Sequence, residues 1–229
     1  RDDSGFDNTA AFIDQAEYDP GNGFSLRYNC CIDSLPKGDL HLLVEHPELY
    51  ALEVNGKQIR WEKNRDELDH HMGKAYITDA VQPGENTIVL QCDRFSVKGE
   101  IEPIYVKGNF TVHSSGSQWT IAPCNPMGPG TIISQGYPFY PGAILYEYEL
   151  NCHSTPASAV LKLLGTEATC CSVKVNDSAP LLVGVKEKAD VIDIADCLLE
   201  GKNRITVRLC ASYKNTFGPH FDAAKPRRE

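Results

Sequence analysis

The chain carries one pattern twice, and any fold it adopts must house both copies. "LEVNGKQIRW" at 52–61 reads as a strand, a tight turn and a strand, and "VKVNDSAPLL" at 173–182 has the same shape. Asn55-Gly56 and Asn176-Asp177 put residues that tolerate positive φ at each turn, as the primed hairpin turns require. Two more landmarks keep the same order. "FSLRYNC" at 24–30 matches "YEYELNC" at 146–152, an alternating strand that ends on Cys. "PGENTIVL" at 83–90 matches "EGKNRITV" at 200–207, preceded by "YITDAV" in one half and "VIDIAD" in the other. The offset is 122 residues from Cys30 to Cys152, 121 from Asn55 to Asn176 and 117 from Asn86 to Asn203. An offset that drifts by a few residues is that of one domain present twice with small loop deletions. It is far longer than a solenoid period.

Alternating runs dominate both halves: "HLLVE", "YALEV", "NTIVL", "IEPIYV", "ILYEYEL", "AVLKLL", "SVKV" and "RITVRL". Gly, Pro, Asn and Asp bound them, which predicts short strands. No segment holds a long 3.6-residue periodicity, and the best helix candidate is "TAAFIDQAEY" at 9–18. The expected class is all-β, two tandem β-sandwiches or jelly rolls. Between the halves, ten of the thirty residues of 113–142 are Pro or Gly. That density excludes a regular element and predicts an ordered connector or long loop. Its aromatics, Trp119, Tyr137, Phe139 and Tyr140, argue against a disordered linker. The expected division is therefore 1–112, connector 113–142, and 143–229.

Composition narrows the partners. The net charge of −9 argues against nucleic acid, whose phosphates favour Lys/Arg patches. No apolar run reaches the ~18 residues of a membrane helix. No signal peptide is visible. The chain begins with Arg1, which reads as a processed or excised piece. Nine cysteines cannot all pair within one chain, and no C-x-x-C occurs. Cys30-Cys31 and Cys170-Cys171 lie in strand-like runs, where neighbours point to opposite faces. Most of the nine read as small core hydrophobes, so no metal site is expected and a reducing, cytoplasmic compartment or anaerobic host fits best.

Catalysis finds little support. A glycosidase needs two carboxylates facing one sugar. Glu100 and Glu102 share a strand face, but read as a solvated edge. "NRDELDHHMGK" at 64–74 gathers acids and His70-His71, and reads as a charged loop. No His-Glu-x-x-His pattern exists. Ser114-Ser115-Gly116 and Ser134-Gln135-Gly136 lack the strand-turn-helix context of a nucleophile elbow.

"LEVNGK", "ITDAVQPGENTIVL", "IEPIYVKGNF", "QGYPFYPGAILYEYEL" and "NTFGPHF" follow one another in that order. In this the chain resembles, from about Phe24 to Phe221, the galactose-binding-like β-sandwich (sugar-binding domain) modules of large glycoside hydrolases. The likeness is to those of family 2-type and α-L-rhamnosidase-like enzymes. The resemblance implies a galactose-binding-domain-like fold and a setting beside a separate catalytic barrel. The expected function is non-catalytic carbohydrate recognition, with a purely structural pair of sandwiches as the alternative. The expected partners are carbohydrate and the catalytic domain of the parent enzyme. Sugar faces stack on aromatic rings while polar groups bond the hydroxyls. The aromatics and polar residues outside alternating strands are thus the expected ligand contacts: Trp61, Trp119, Tyr137, Tyr140, Asn215 and His220. No catalytic residue and no cofactor is expected. Modules of this kind often hold a structural calcium, and "YDPGNG" at 18–23 has suitable oxygens, but its spacing designates no site.

Overall fold

A computed structural model describes residues 21–62, 70–96, 98–99, 101, 104–115, 118–164, 168–183, 191–211 and 216. The helix expected at 9–18 and residues 64–69 of the charged loop expected at 64–74 lie outside them, as do Glu100 and Glu102. The described chain is all-β, and its strands form two compact units that divide between Tyr137 and Pro138.

The first unit contains β1 (Phe24–Ile32), β2 (His41–Glu45), β3 (Ala51–Val54), β4 (Lys57–Ile59) and β5 (Met72–Tyr76). It continues with β6 (Gly84–Cys92), β7 (Tyr105–Lys107), β8 (Phe110–Ser115) and β9 (Gln118–Pro123). Six strands form one sheet in the order β4-β3-β6-β1-β9-β8, and three form another, β5-β2-β7. Both sheets turn their apolar face to one core. Leu52, Val54, Ile88, Leu90, Ile32 and Ile121 come from the larger sheet, and Leu42, Val44 and Ala75 from the smaller. Period-2 alternation makes this possible, since every second residue of a strand faces the opposite sheet. β6 shows it plainly: Asn86, Ile88, Leu90 and Cys92 are buried and the residues between them are not.

The second unit contains β10 (Ala143–Cys152), β11 (Val160–Lys162), β12 (Cys170–Val175), β13 (Leu181–Val183), β14 (Val191–Asp193) and β15 (Gly201–Cys210). Its sheets are β10-β15-β12-β13 and β11-β14. Val173, Val175, Val183, Ile205 and Val207 pack against Ile192, Ile194 and Leu198. This is again a sandwich closed on an apolar core.

One polar network occurs in both units. Asn55 and Asn176 sit at φ 51° and 52°. Asn55 Nδ2 donates to Asn86 Oδ1 at 2.8 Å and to the Ala80 carbonyl at 2.9 Å. Asn176 Nδ2 donates to Asn203 Oδ1 at 2.8 Å and to the Cys197 carbonyl at 2.9 Å. Each Asn side chain also accepts from the backbone of the long strand, at Thr87 or Arg204, both at 2.9 Å. Asn86 and Asn203, 1% and 2% exposed, then cross-link the Gly turns at Gln82 and Gly84, or at Leu199 and Gly201. The Asn in "VN" and the Asn in "PGEN" or "EGKN" are thus partners, each satisfying the other's buried amide.

Two local expectations change. "YITDAV" and "VIDIAD" are not equivalent stretches. The 3₁₀ turns follow Ile77 and Ile194, at Thr78–Ala80 and Ala195–Cys197. The offset there is already 117, as at Asn86 and Asn203. Ile77 corresponds to Ile194, and Ile192 two residues earlier offers the same side chain to a match by sequence. The stretch 113–142 also contains regular structure, because β8 runs into it and β9 lies within it. Its alternation, His113 and Thr120 outward with Val112 and Ile121 inward, outweighs the Pro and Gly that gather only from Pro123 onward.

Candidate functional site

A concavity of 460 Å³ opens on the first unit, lined by Asp33, Ser34, His113, Thr120, Ala122, Pro123 and Asn125. Three pieces of chain build it. Asp33-Ser34 follow β1 directly, and the Asp33 N–H donates to the Ile121 carbonyl at 2.8 Å. His113 and Thr120 are directly opposite each other on β8 and β9. Asn125 follows β9, and the Tyr137 hydroxyl donates to its carbonyl at 3.3 Å.

The loop beyond β9 is braced from within. Gln135 Oε1 accepts from the Gly128 N–H at 2.8 Å, and its Nε2 donates to the Gly128 carbonyl at 3.1 Å. The Val112 N–H donates to the Gly136 carbonyl at 2.8 Å, which lays the loop along the free edge of β8. Gly136 is required there. Its φ is 92°, and a Cβ would stand 2.7 Å from the Thr111 Cβ. Thr111, fully buried, donates its hydroxyl toward the Ala122 and Pro123 carbonyls at 3.2 and 3.0 Å. His113 Nε2 lies 3.4 Å from that hydroxyl. The lining is therefore carried by paired strands and a tied loop.

Its surface is mixed, with polar groups set beside an apolar share at least as large. Asp33 accepts, Ser34 and Thr120 both donate and accept, and Asn125 and His113 do each through different atoms. Ala122 and Pro123 supply the apolar surface. Asp33 is the one carboxylate in the lining, whereas hydrolysis of a glycoside takes a pair. No group of three or more His, Cys, Asp or Glu with metal-holding geometry exists among the described residues.

The residues expected from sequence are spread out. Trp61 packs against the first core, and its indole N–H donates to the Tyr50 carbonyl at 2.8 Å. Trp119 is half-buried on β9, opposite Ser114 and next to Thr120 of the concavity. Tyr137 stands behind the concavity through Asn125; burial first, and then a hydrogen bond with Cys124, push its phenol above the ordinary value. Tyr140 belongs to the second unit, is 44% exposed, and donates its hydroxyl to the Ala143 carbonyl at 3.3 Å. Asn215 and His220 lie outside the described residues. Asp33, Ser34, His113, Thr120 and Asn125 were not singled out from sequence. The available signal was a polar outward face, Thr111 and His113 against Thr120, which becomes readable only once the β8–β9 register is known.

The fold defines an all-β protein built of β-sandwiches. No family model matches the chain, and no curated protein matches it. Among solved structures, the α-L-rhamnosidase of Streptomyces avermitilis, complexed with L-rhamnose, aligns over 90% of this chain and 24% of its own, with 15% identity and a TM-score of 0.33. A rhamnosidase from Novosphingobium sp. PP1Y aligns over 91% of this chain and 21% of its own, with 16% identity and a TM-score of 0.31. The chain thus spans under a quarter of the length of either enzyme.

Proposed function

We propose that this chain is a non-catalytic carbohydrate-recognition region of a glycoside hydrolase, and that the concavity of the first unit receives the sugar. The observation that carries this reading is the lining itself. Five hydrogen-bonding side chains surround an Ala-Pro patch on a strand-supported surface. Sugar hydroxyls both donate and accept, and this set offers both. The single carboxylate suits binding better than glycoside cleavage. The likeness of "GYPFYPG" and "FGPH" to the α-L-rhamnosidase-like group supports a glycoside-hydrolase setting. Catalysis then belongs to another domain of the parent enzyme.

The test is binding of the chain to an array of plant and microbial glycans, repeated with Asp33→Ala, His113→Ala and Tyr140→Ala. Saturable binding is expected, weakened about tenfold or more by each of the first two changes, since each removes hydrogen bonds to ligand. Tyr140→Ala is expected to leave it intact. Binding lost in Tyr140→Ala alone moves the site to the second unit. Absence of binding to any glycan overturns the reading and leaves a structural pair of sandwiches. Trp61 already serves such a structural role in the first core.

A further inference from the structure

We propose that Cys170 and Cys210 are a reversible dithiol–disulfide site on the outer face of the second unit's sheet. The two residues stand directly opposite each other in the antiparallel β12–β15 ladder. Opposite residues in such a ladder have Cα atoms about 4.5–5.5 Å apart. A disulfide accommodates about 4.4–6.8 Å, so the bond needs no rearrangement of strands.

The surroundings favour this pair. Cys171 and Leu209, the adjacent partners, face the core, which turns Cys170 and Cys210 outward with Ser172 and Arg208. Both thiols are half-buried and free. Interaction with the Cys210 thiol first, and then burial, holds the Cys170 thiol up, which limits its thiolate, while the Arg208 charge acts in the opposite direction. The backbone fixes Cys210 from both sides. Its carbonyl accepts from the Thr169 N–H at 2.9 Å, and its other neighbour is Ala143 of β10. Two other cysteines have partners elsewhere: the Cys92 thiol donates to the Arg94 carbonyl and the Cys124 thiol to Asn109 Oδ1.

The reactant is a disulfide oxidant such as oxidised glutathione. One thiol gives its proton to solvent and attacks a glutathione sulfur, forming a mixed disulfide and releasing one glutathione thiolate, which is protonated. The second thiol then loses its proton and attacks the protein sulfur of the mixed disulfide, releasing the second glutathione. The protein loses two electrons and two protons, and the oxidant gains them. The closed bond staples the end of β12 to the end of β15, where β10 also joins.

The full chain is incubated in glutathione buffers of graded redox poise, quenched with acid, alkylated and digested with trypsin. Residues 163–174 and 209–214 are the tryptic peptides that carry the pair. The expected result is a cross-linked species of these two peptides, with the loss of two alkylatable thiols, reversed by dithiothreitol. It is expected to persist in Cys171→Ser and to vanish in Cys170→Ser and Cys210→Ser. A cross-link that survives Cys170→Ser, that vanishes in Cys171→Ser, or that forms only after denaturation overturns the proposal. So does its absence from the folded wild-type chain at every poise.

Discussion

The two units share their polar lock and differ in what lies beside their first strand. In the first unit, β1 is an interior strand, paired with β6 on one side and in parallel with β9 on the other. Leu26 and Tyr28 of its inner face pack against the core. In the second, β10 is paired with β15 and, among the described residues, with no other strand. Tyr146 and Tyr148 hold the same places on the second central strand; Tyr146 packs against the second core, but Tyr148 is 47% exposed. The shared Asn network thus specifies how a turn grips the long central strand. It does not specify how far the sheet extends. The concavity appears on the extension: five of its seven lining residues come from β8, β9 and the residue-pair beyond. Among the described residues, the Asn network occurs in both units, whereas the β8–β9 hairpin that carries the candidate site occurs in the first.

The sharpest way to break this comparison is to remove the lock from each unit in turn. Asn86→Ala and Asn203→Ala each strip four hydrogen bonds from a buried site and leave backbone groups unpaired. Each is expected to cost about 3 kcal/mol. Chemical denaturation should show the two losses to be similar; a large loss in one unit and none in the other would end the equivalence.

A smaller effect is expected from Gly136→Ala, which has no counterpart among the described residues of the second unit. The positive φ and the clash with Thr111 should cost the first unit about 2 kcal/mol. Glycan binding should fall with it, because the same loop backs the concavity. Unchanged binding in a folded variant would show that the loop is dispensable to the site.

Alkaline pH sharpens the comparison further. Burial pushes the Cys30 thiol of the first unit and the Cys171 thiol of the second above their ordinary 9.0. A neutral acid whose folded pKa is raised contributes stability in full below its unfolded pKa and loses it as pH rises toward the folded one. Both units should therefore melt at lower temperature as pH climbs past 9.0, and Cys30→Ala should flatten that decline for the first unit alone. Melting curves recorded on either side of pH 9.0 decide it.

The smallest change is expected at Arg204. Its guanidinium meets Glu147 across the sheet face, with side chains 69% and 54% exposed. In the first unit the corresponding place holds a Thr87–Asn29 hydrogen bond at 3.3 Å. Arg204→Ala should alter stability by less than about 0.5 kcal/mol, as exposed pairs do. A loss above 1 kcal/mol would mean that the second unit leans on surface charge where the first does not.

Much of the fold was legible residue by residue. Alternation in "NTIVL" and "RITVRL" identified the central strands, and Asn at 55 and 176 identified turns with positive φ. Two matters were not legible. "YITDAV" and "VIDIAD" both precede the Gly turn, but Ile77 matches Ile194 and not Ile192, a slip the sequence did not reveal. Nor was the tie of the Trp61 indole N–H to the Tyr50 carbonyl legible, since that partner is distant enough in sequence to escape local pattern reading.

By itself, the sequence determined what depends on neighbours along the chain: strand alternation and turn chemistry. The tertiary structure decided what depends on neighbours across it. Asp33, His113 and Asn125 meet only because β9 lies beside β1 and β8 pairs with β9. Cys170 meets Cys210 only through the register of β12 on β15. Register is set by the summed burial of whole strands, and no local stretch of residues encodes it alone.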